Sequence, residues 1–348
     1  MKYRLLIGSV ILLALGYGAF WHSAANRAET LVKEGLDALN AGPTKARAQR
    51  IDSQGFPYRL QIRIDQPFLS NQKTELQWSA GAQRLMLFTH PWTPDHVVAE
   101  GTAVALGLGA LTLSAPAPKA SVVRGGGFAR IDVDFGPVHL NVPNSKNQQM
   151  TADRMQLHLR LPDHKADSEA SNAATEAPSS DALLQEERAD IAISLTNLAL
   201  GPFADQAPDP VISRLELHGE LHGRLPTPVT ARSLAQWRDQ GGTIEISDLA
   251  LIWGTVRITG DGSLTLDEQL RPLGALSLTI EQPGLLIAYL AAHGWIDRES
   301  APYLREGMEQ IATMGDGRAM RLPITMQDGR IFAGPFPVAD TGPIVGGR

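Results

Sequence analysis

Five stretches carry side chains that could do chemistry. His218, Glu220 and His222 alternate along one predicted strand, so all three share its polar face. Imidazoles and a carboxylate can bind zinc, but extended backbone sets the two histidines about 13 Å apart, too far to share one ion. Asp132 and Asp134 form a carboxylate pair of the kind used in glycoside cleavage. They alternate with Ile131, Val133 and Phe135, which marks the wet face of a strand. "RGGGF" at 124–128 has the glycines of a phosphate cradle but lacks the following Lys-Ser/Thr and a helix. "GDGS" at 260–263 is not the Gly-x-Ser-x-Gly of a nucleophile elbow. "HPWTPDH" at 90–96 is the most enzyme-like cluster, yet it has no nucleophile beside its histidines. Cysteine is absent, which excludes thiol catalysis, disulfides and Cys-based zinc sites. The expectation is a protein that is not an enzyme, with no catalytic, cofactor or metal residues to assign.

The elements around these residues are strands. Val256, Ile258, Leu264, Leu266, Leu276, Leu278 and Ile280 keep one parity through two adjacent segments, with Arg257, Thr265, Asp267, Ser277 and Thr279 between them. Side chains alternate faces along a strand, so this is a meander with one oily and one wet face. Phe56, Tyr58, Leu60, Ile62 and Ile64 repeat the pattern, as do Met155, Leu157, Leu159 and Leu161. Strands do not alternate with helices, which argues against a parallel α/β fold. Helices are expected at 28–40, with Leu31, Leu36 and Leu39 as its apolar stripe, and at 231–240, capped by Ser233. Two more are expected at 284–294 and 297–314. Asp328-Gly329 is a hairpin turn. The fold class is mainly β with a few helices: a large curved antiparallel sheet of many short strands.

The first segment sets the address. Lys2 and Arg4 precede an uncharged apolar run of 17 residues, Leu5 to Trp21. That is the low limit of the roughly 17–25 residues needed to cross a bilayer. Basic residues keep the short N-terminal side cytoplasmic, and Trp21 stands where an interfacial aromatic would. The competing reading is a cleaved signal peptide with Ser23–Ala25 as its small-residue site. The run exceeds the usual signal core of about 7–15 residues, and bulky Trp21 and His22 come just before that site, so an uncleaved anchor is favoured. The domain reading is a transmembrane anchor at 1–22 and a periplasmic β-domain in two parts, 23–162 and 183–348. Between them, 163–182 is rich in Ala, Ser, Asp and Glu without periodicity, and reads as a disordered insert. The expected location is the inner membrane, single-pass, with most of the chain in the periplasm. A net charge of -6 with no basic block argues against nucleic acid.

Two regions carry a family resemblance. One is the anchor followed by "GFPYRL" at 55–60. The other is "WGTVRITGDGSLTLDEQLRPLGALSLTI", then "YLAAHGWI", then "LPITMQDGRIFAGPFPV". Together they resemble an uncharacterised bacterial family, the domain of unknown function numbered twenty-one twenty-five. The "G-x-G-x-L-x-L-D" phrase at 260–267 also resembles strands of AsmA-like proteins. That second resemblance implies an inner-membrane anchor, a long curved periplasmic sheet with an apolar concave face, and a link to phospholipid traffic. It supplies no catalytic residues.

An apolar face of this extent must be buried, because soluble monomers seldom expose patches above a few hundred Å². The candidate apolar groove comprises Phe56, Tyr58, Leu60, Ile62, Val256, Ile258, Leu264, Leu266, Leu276, Leu278 and Ile280. The function it implies is binding or passing lipid, or supporting cell-envelope assembly, with the membrane and phospholipid as partners. The alternative is a scaffold that closes its apolar face with its own helices and binds another envelope protein.

Overall fold

The alternating pattern folds, in a computed structural model, into a single twenty-stranded antiparallel sheet that does not close on itself. The structure describes residues 2–71, 77–125, 128–142, 149–162, 188–223, 229–296, 301–313 and 319–345. The predicted insert at 163–182 lies outside the described residues.

The right half of the sheet is a meander in chain order. Its strands are β11 (Phe128–Asn141), β12 (Gln149–Pro162), β13 (Arg188–Ala199), β14 (Val211–His222), β15 (Thr243–Trp253), β16 (Val256–Leu266), β17 (Pro272–Glu281), β18 (Ala319–Gln327), β19 (Arg330–Ala333) and β20 (Phe336–Asp340). Each pairs antiparallel with the next. The β18–β19 turn is Asp328-Gly329, both at positive φ (53° and 74°), as a type I′ turn requires.

The left half is creased, which the sequence reading did not foresee. Five extended segments are each broken near the middle. They give β1 (Lys45–Arg47) and β2 (Arg50–Gln54), β3 (Leu60–Asp65) and β4 (Phe68–Asn71), and β5 (Trp78–Gly81) and β6 (Arg84–His90). They continue with β7 (Thr93–Thr102) and β8 (Val104–Leu108), then β9 (Leu111–Ala115) and β10 (Lys119–Gly125). The breaks align across the sheet. Gln49 N–H donates to Asp65 O (2.9 Å), Gln66 N–H to Gln83 O (3.0 Å), Gln83 N–H to Thr102 O (2.9 Å) and Ala103 N–H to Pro116 O (2.8 Å). Gln66 and Ala103 sit at φ 49°, and Pro67, Pro116 and Pro118 cannot donate to a ladder. On one side of the crease the order is β2–β3–β6–β7–β10–β11. On the other, β1–β4–β5–β8–β9 joins the far end of β11, which bridges both sides with a register shift at Gly136.

Helix α1 (Lys2–Ala41) is continuous, merging the expected anchor with the expected helix at 28–40, and it is long and apolar enough to cross a membrane. The stripe that packs is Trp21, Ala25, Ala28 and Val32, seated on Leu60, Ile62, Ile64 and Leu87. Leu31 and Leu39, predicted to pack, are 57% and 42% exposed. Small alanines let the helix axis approach the sheet, and bulky leucines at those positions would hold it off. The "GFPYR" loop clasps the helix. Tyr17 Oη donates to Pro57 O, Trp21 Nε1 to Arg59 O (3.3 Å), and Phe56 meets Trp21 edge-on at 5.4 Å. Trp21 is therefore buried in the protein core, 4% exposed, rather than free as an interfacial aromatic.

The remaining helices lie on the same face of the sheet. α2 (Ala231–Asp239) has Thr230 as its N-cap, with Ser233 completing a capping box at the third helical position, so the expected cap is displaced by three residues. α3 (Pro283–Ala292) and α4 (Ala301–Thr313) follow β17. The turn from β16 to β17 is held by Asp267. Its carboxylate accepts from Gln269 N–H (2.9 Å), Arg271 N–H (2.9 Å) and Arg271 Nε (2.6 Å). Burial works to raise the Asp267 pKa, but these donors outweigh it and hold the carboxyl below the usual carboxylate range.

Two expectations follow. Trp21→Ala should cost about 3–5 kcal/mol, read by chemical unfolding of the full chain in detergent. An unchanged midpoint would show that the clasp is not structural. Asp267→Asn should cost about 1.5–3 kcal/mol, as expected for hydrogen bonds to a charged group. The folded carboxyl holds its proton less tightly than the unfolded one. Its contribution is therefore present above the ordinary carboxylate pKa and lost as pH falls through the folded value. The variant's stability deficit should accordingly be full at neutral pH and shrink in acid.

Candidate apolar groove

The inward residues of each strand meet those of its neighbours in register. Ile62 pairs with Leu87, Leu87 with Ala99, Ala99 with Ala120, Ala120 with Val133, and Val133 with Leu157. Leu157 then pairs with Ile193, Ile193 with Leu217, Leu217 with Leu249, Leu249 with Gly260, Gly260 with Leu278, and Leu278 with Leu322. One apolar belt thus crosses the sheet from β3 to β18.

Three roofs cover parts of it. At the left, α1 seals Leu60, Ile62 and Ile64. On the right, α2 seals one end of the strands, where Leu234 and Trp237 pack with Leu221, Leu266 and Leu270. α3 and α4 cover the other end, where Ile287 and Leu304 join Ile280, Met320 and Leu322. Tyr289 of α3 meets Trp253 edge-on at 4.7 Å beside the fully buried Val256. α3 is therefore a plug seated in the core.

Between these roofs lies an open strip. Ile193, Leu217, Leu249, Leu264 and Leu276 are only half-buried and belong to none of the buried clusters. Glycines keep it low. Gly260 faces Leu278, Gly262 faces Leu276 and Gly274 faces Leu264. A Cβ on Gly260 would come 2.5 Å from both Leu278 Cδ2 and Ser277 O, so the leucines lie down in space the glycines leave. The strip leads to a cleft of about 270 Å³ between the sheet and α3–α4. Ile258, Leu278, Ile324, Leu286, Leu290 and Leu304 line it, with the 52%-exposed Trp295 at its edge. Apolar cavities of roughly 150 Å³ already stay dry and accept apolar guests.

The eleven sequence-predicted groove residues therefore divide. Ile258, Leu278 and the buried Ile280 line the cleft, and Leu264 and Leu276 the open strip. Leu60, Ile62, Val256 and Leu266 are sealed core, 0–5% exposed. Phe56 and Tyr58 are not on the belt: they lie in the loop before β3, 55% and 81% exposed. Gly55 at φ 99° and Pro57, which lacks an N–H, end the strand there although the parity continues. Trp295 and the roof leucines went unassigned, because α3 is apolar nearly all round and shows no face from sequence.

The chemistry-bearing clusters are paired on the outer, polar face or at its edges. Asp134 takes a bidentate bond from Arg154, which holds its pKa below the usual range against burial, and Asp132 meets His158 at 2.8 Å. Glu220, His222 and Glu245 bring ligand atoms within 4.8 Å of one another, without His218. Arg188 already bonds Glu220 at 3.1 Å, and the group reads as a solvated salt-bridge ladder. In "HPWTPDH", His90 stacks on Trp92 at a hairpin tip and His96 reaches Ser121 Oγ at 3.2 Å. "GDGS" lies within β16. Part of "RGGGF", residues 126–127, lies outside the described residues.

Leu266→Ala should cost about 2–5 kcal/mol, as for a sealed core leucine. Comparing its unfolding free energy with that of Leu276→Ala, which should lose less, checks the division.

Residues 21–341 match the family described as uncharacterised protein conserved in bacteria, and the chain belongs to that family, domain of unknown function 2125. The match takes in the belt, the cleft and the clasp from Trp21 onward, with Tyr17 outside it. No curated protein and no solved structure matches.

Proposed function

We propose that this protein is a membrane-anchored, non-catalytic lipid holder of the bacterial envelope. α1 anchors it in the inner membrane, with the sheet on the periplasmic side as Lys2 and Arg4 dictate. Acyl chains lie along the open strip, and a chain end enters the 270 Å³ cleft. The strip carries this reading: Ile193, Leu217, Leu249, Leu264 and Leu276 form a contiguous aliphatic surface that its neighbouring helices leave bare. The resemblance to AsmA-like strands points the same way. A cleft lined by aliphatic groups offers acyl chains burial worth about 25 cal/mol per Å² and offers a polar substrate nothing.

The test is mass spectrometry of lipid extracted from the full chain purified in mild detergent. Phospholipid should be retained at a fixed ratio to protein. Leu276→Asp, on the half-buried strip, should fold yet retain about tenfold less, the factor set by 1.4 kcal/mol. An undiminished lipid load in that variant would remove the strip from the site. A wild-type chain that carries no lipid but captures one envelope protein across this face would favour the scaffold alternative.

A further inference from the structure

We propose that the rim of the sheet bearing the "GFPYR" loop and the β6–β7 hairpin rests in the headgroup layer of the bilayer, so that the strands stand upright on the membrane. The inference rests on α1 being the anchor. Its argument is one of length. The clasp already holds α1 at Tyr17 and Trp21 through Pro57 O and Arg59 O. Beyond the clasp, the uncharged apolar stretch of α1 runs only from Tyr17 back to Leu5, where Arg4 and Lys2 bound it; those 13 residues span about 20 Å at 1.5 Å per residue. The hydrocarbon core of a bilayer is roughly 30 Å thick. The helix crosses it only if the clasp itself is drawn down to the membrane surface.

The residues at this rim suit that position. Leu60 pairs with Thr89, so the loop before β3 and the tip after β6 are neighbours. Each tip presents an aromatic to solvent: Tyr58 is 81% exposed and Trp92 60%. Arg59 stacks on Phe88 between them, 5.2 Å from its ring centroid. Tyr and Trp with apolar bodies and polar ends favour the headgroup layer, and an arginine beside them meets lipid phosphate. The opposite rim holds the β15–β16 hairpin, with Thr255 at its turn.

The chain lacks cysteine, so single cysteines report position cleanly. Leu12→Cys, Tyr58→Cys, Trp92→Cys and Thr255→Cys, all at exposed positions, are each labelled with an environment-sensitive fluorophore. The full chain is reconstituted into phosphatidylethanolamine–phosphatidylglycerol vesicles containing nitroxide lipids of shallow or deep label. The expected result is deep quenching at position 12, shallow quenching with blue-shifted emission at 58 and 92, and neither at 255. Deep quenching at 12 with positions 58 and 92 as water-exposed as 255 would overturn the rim contact and leave the anchor standing. Shallow quenching at 255 equal to that at 58 and 92 would also overturn it, since the sheet would then lie flat. No quenching at 12 would overturn the anchor and the rim contact together.

Discussion

Strict alternation of side chains along strands of 10–14 residues forces this molecule's main decision. In β11 through β17 the inward positions are aliphatic, aromatic or, as at Gly260, Gly262 and Gly274, glycine, and consecutive strands match these parities across their bulges. A slip by one residue anywhere would turn a whole strand's apolar set to water. The meander therefore accumulates one oily face wider than its few helices can cover. The outer face is accordingly crossed by polar ladders such as Arg130–Asp132–His158 and Arg188–Glu220–His222. Exposed pairs of this kind contribute little to stability. What they do is make one face unambiguously the wet one.

The left half solves the same problem differently. Its belt residues shrink to Ala99 and Ala120, and its strands break at an aligned crease. Small side chains on α1 permit a close contact with Leu60, Ile62 and Ile64, which buries Trp21 and Ala25 to 4% and 1% exposure. α1 is thereby integrated into the core of the domain. Its position relative to the sheet is set by packing, and a flexible tether would not transmit it.

The legible part of this fold was the part that local pattern decides. β16 and β17 follow their parity residue for residue, Asp328-Gly329 turns as its type demands, and α2 and α3 lie close to where their patterns place them. The crease was not legible, because it exists only as an alignment of breaks between strands distant in sequence. Parity misled at Phe56 and Tyr58, where Gly55 and Pro57 override it. In α1 the larger leucines drew attention away from Trp21, Ala25, Ala28 and Val32, although that stripe has helical spacing and could have been read. For the groove, parity names the face but not its roof. Leu264 and Leu266 are equivalent in sequence and differ only in that α2 reaches one of them.

That difference bears on how such a surface could select a ligand. The motif residues that carry the family resemblance serve geometry: Gly260, Gly262 and Gly274 let opposing leucines lie flat, and Asp267 closes the turn. If the proposed function holds, a low, glycine-smoothed strip leading to a cleft would discriminate by length and thickness of an apolar chain, since each methylene buried contributes about 0.8 kcal/mol and a chain too bulky meets packed side chains. It would discriminate little by headgroup, because charged side chains of β13–β15 such as Arg188, Glu220 and Glu245 lie on the opposite face. Any preference for a headgroup must then arise at the ends of the strands, where the loops and helix termini lie, and the belt itself would accept acyl chains from many lipids.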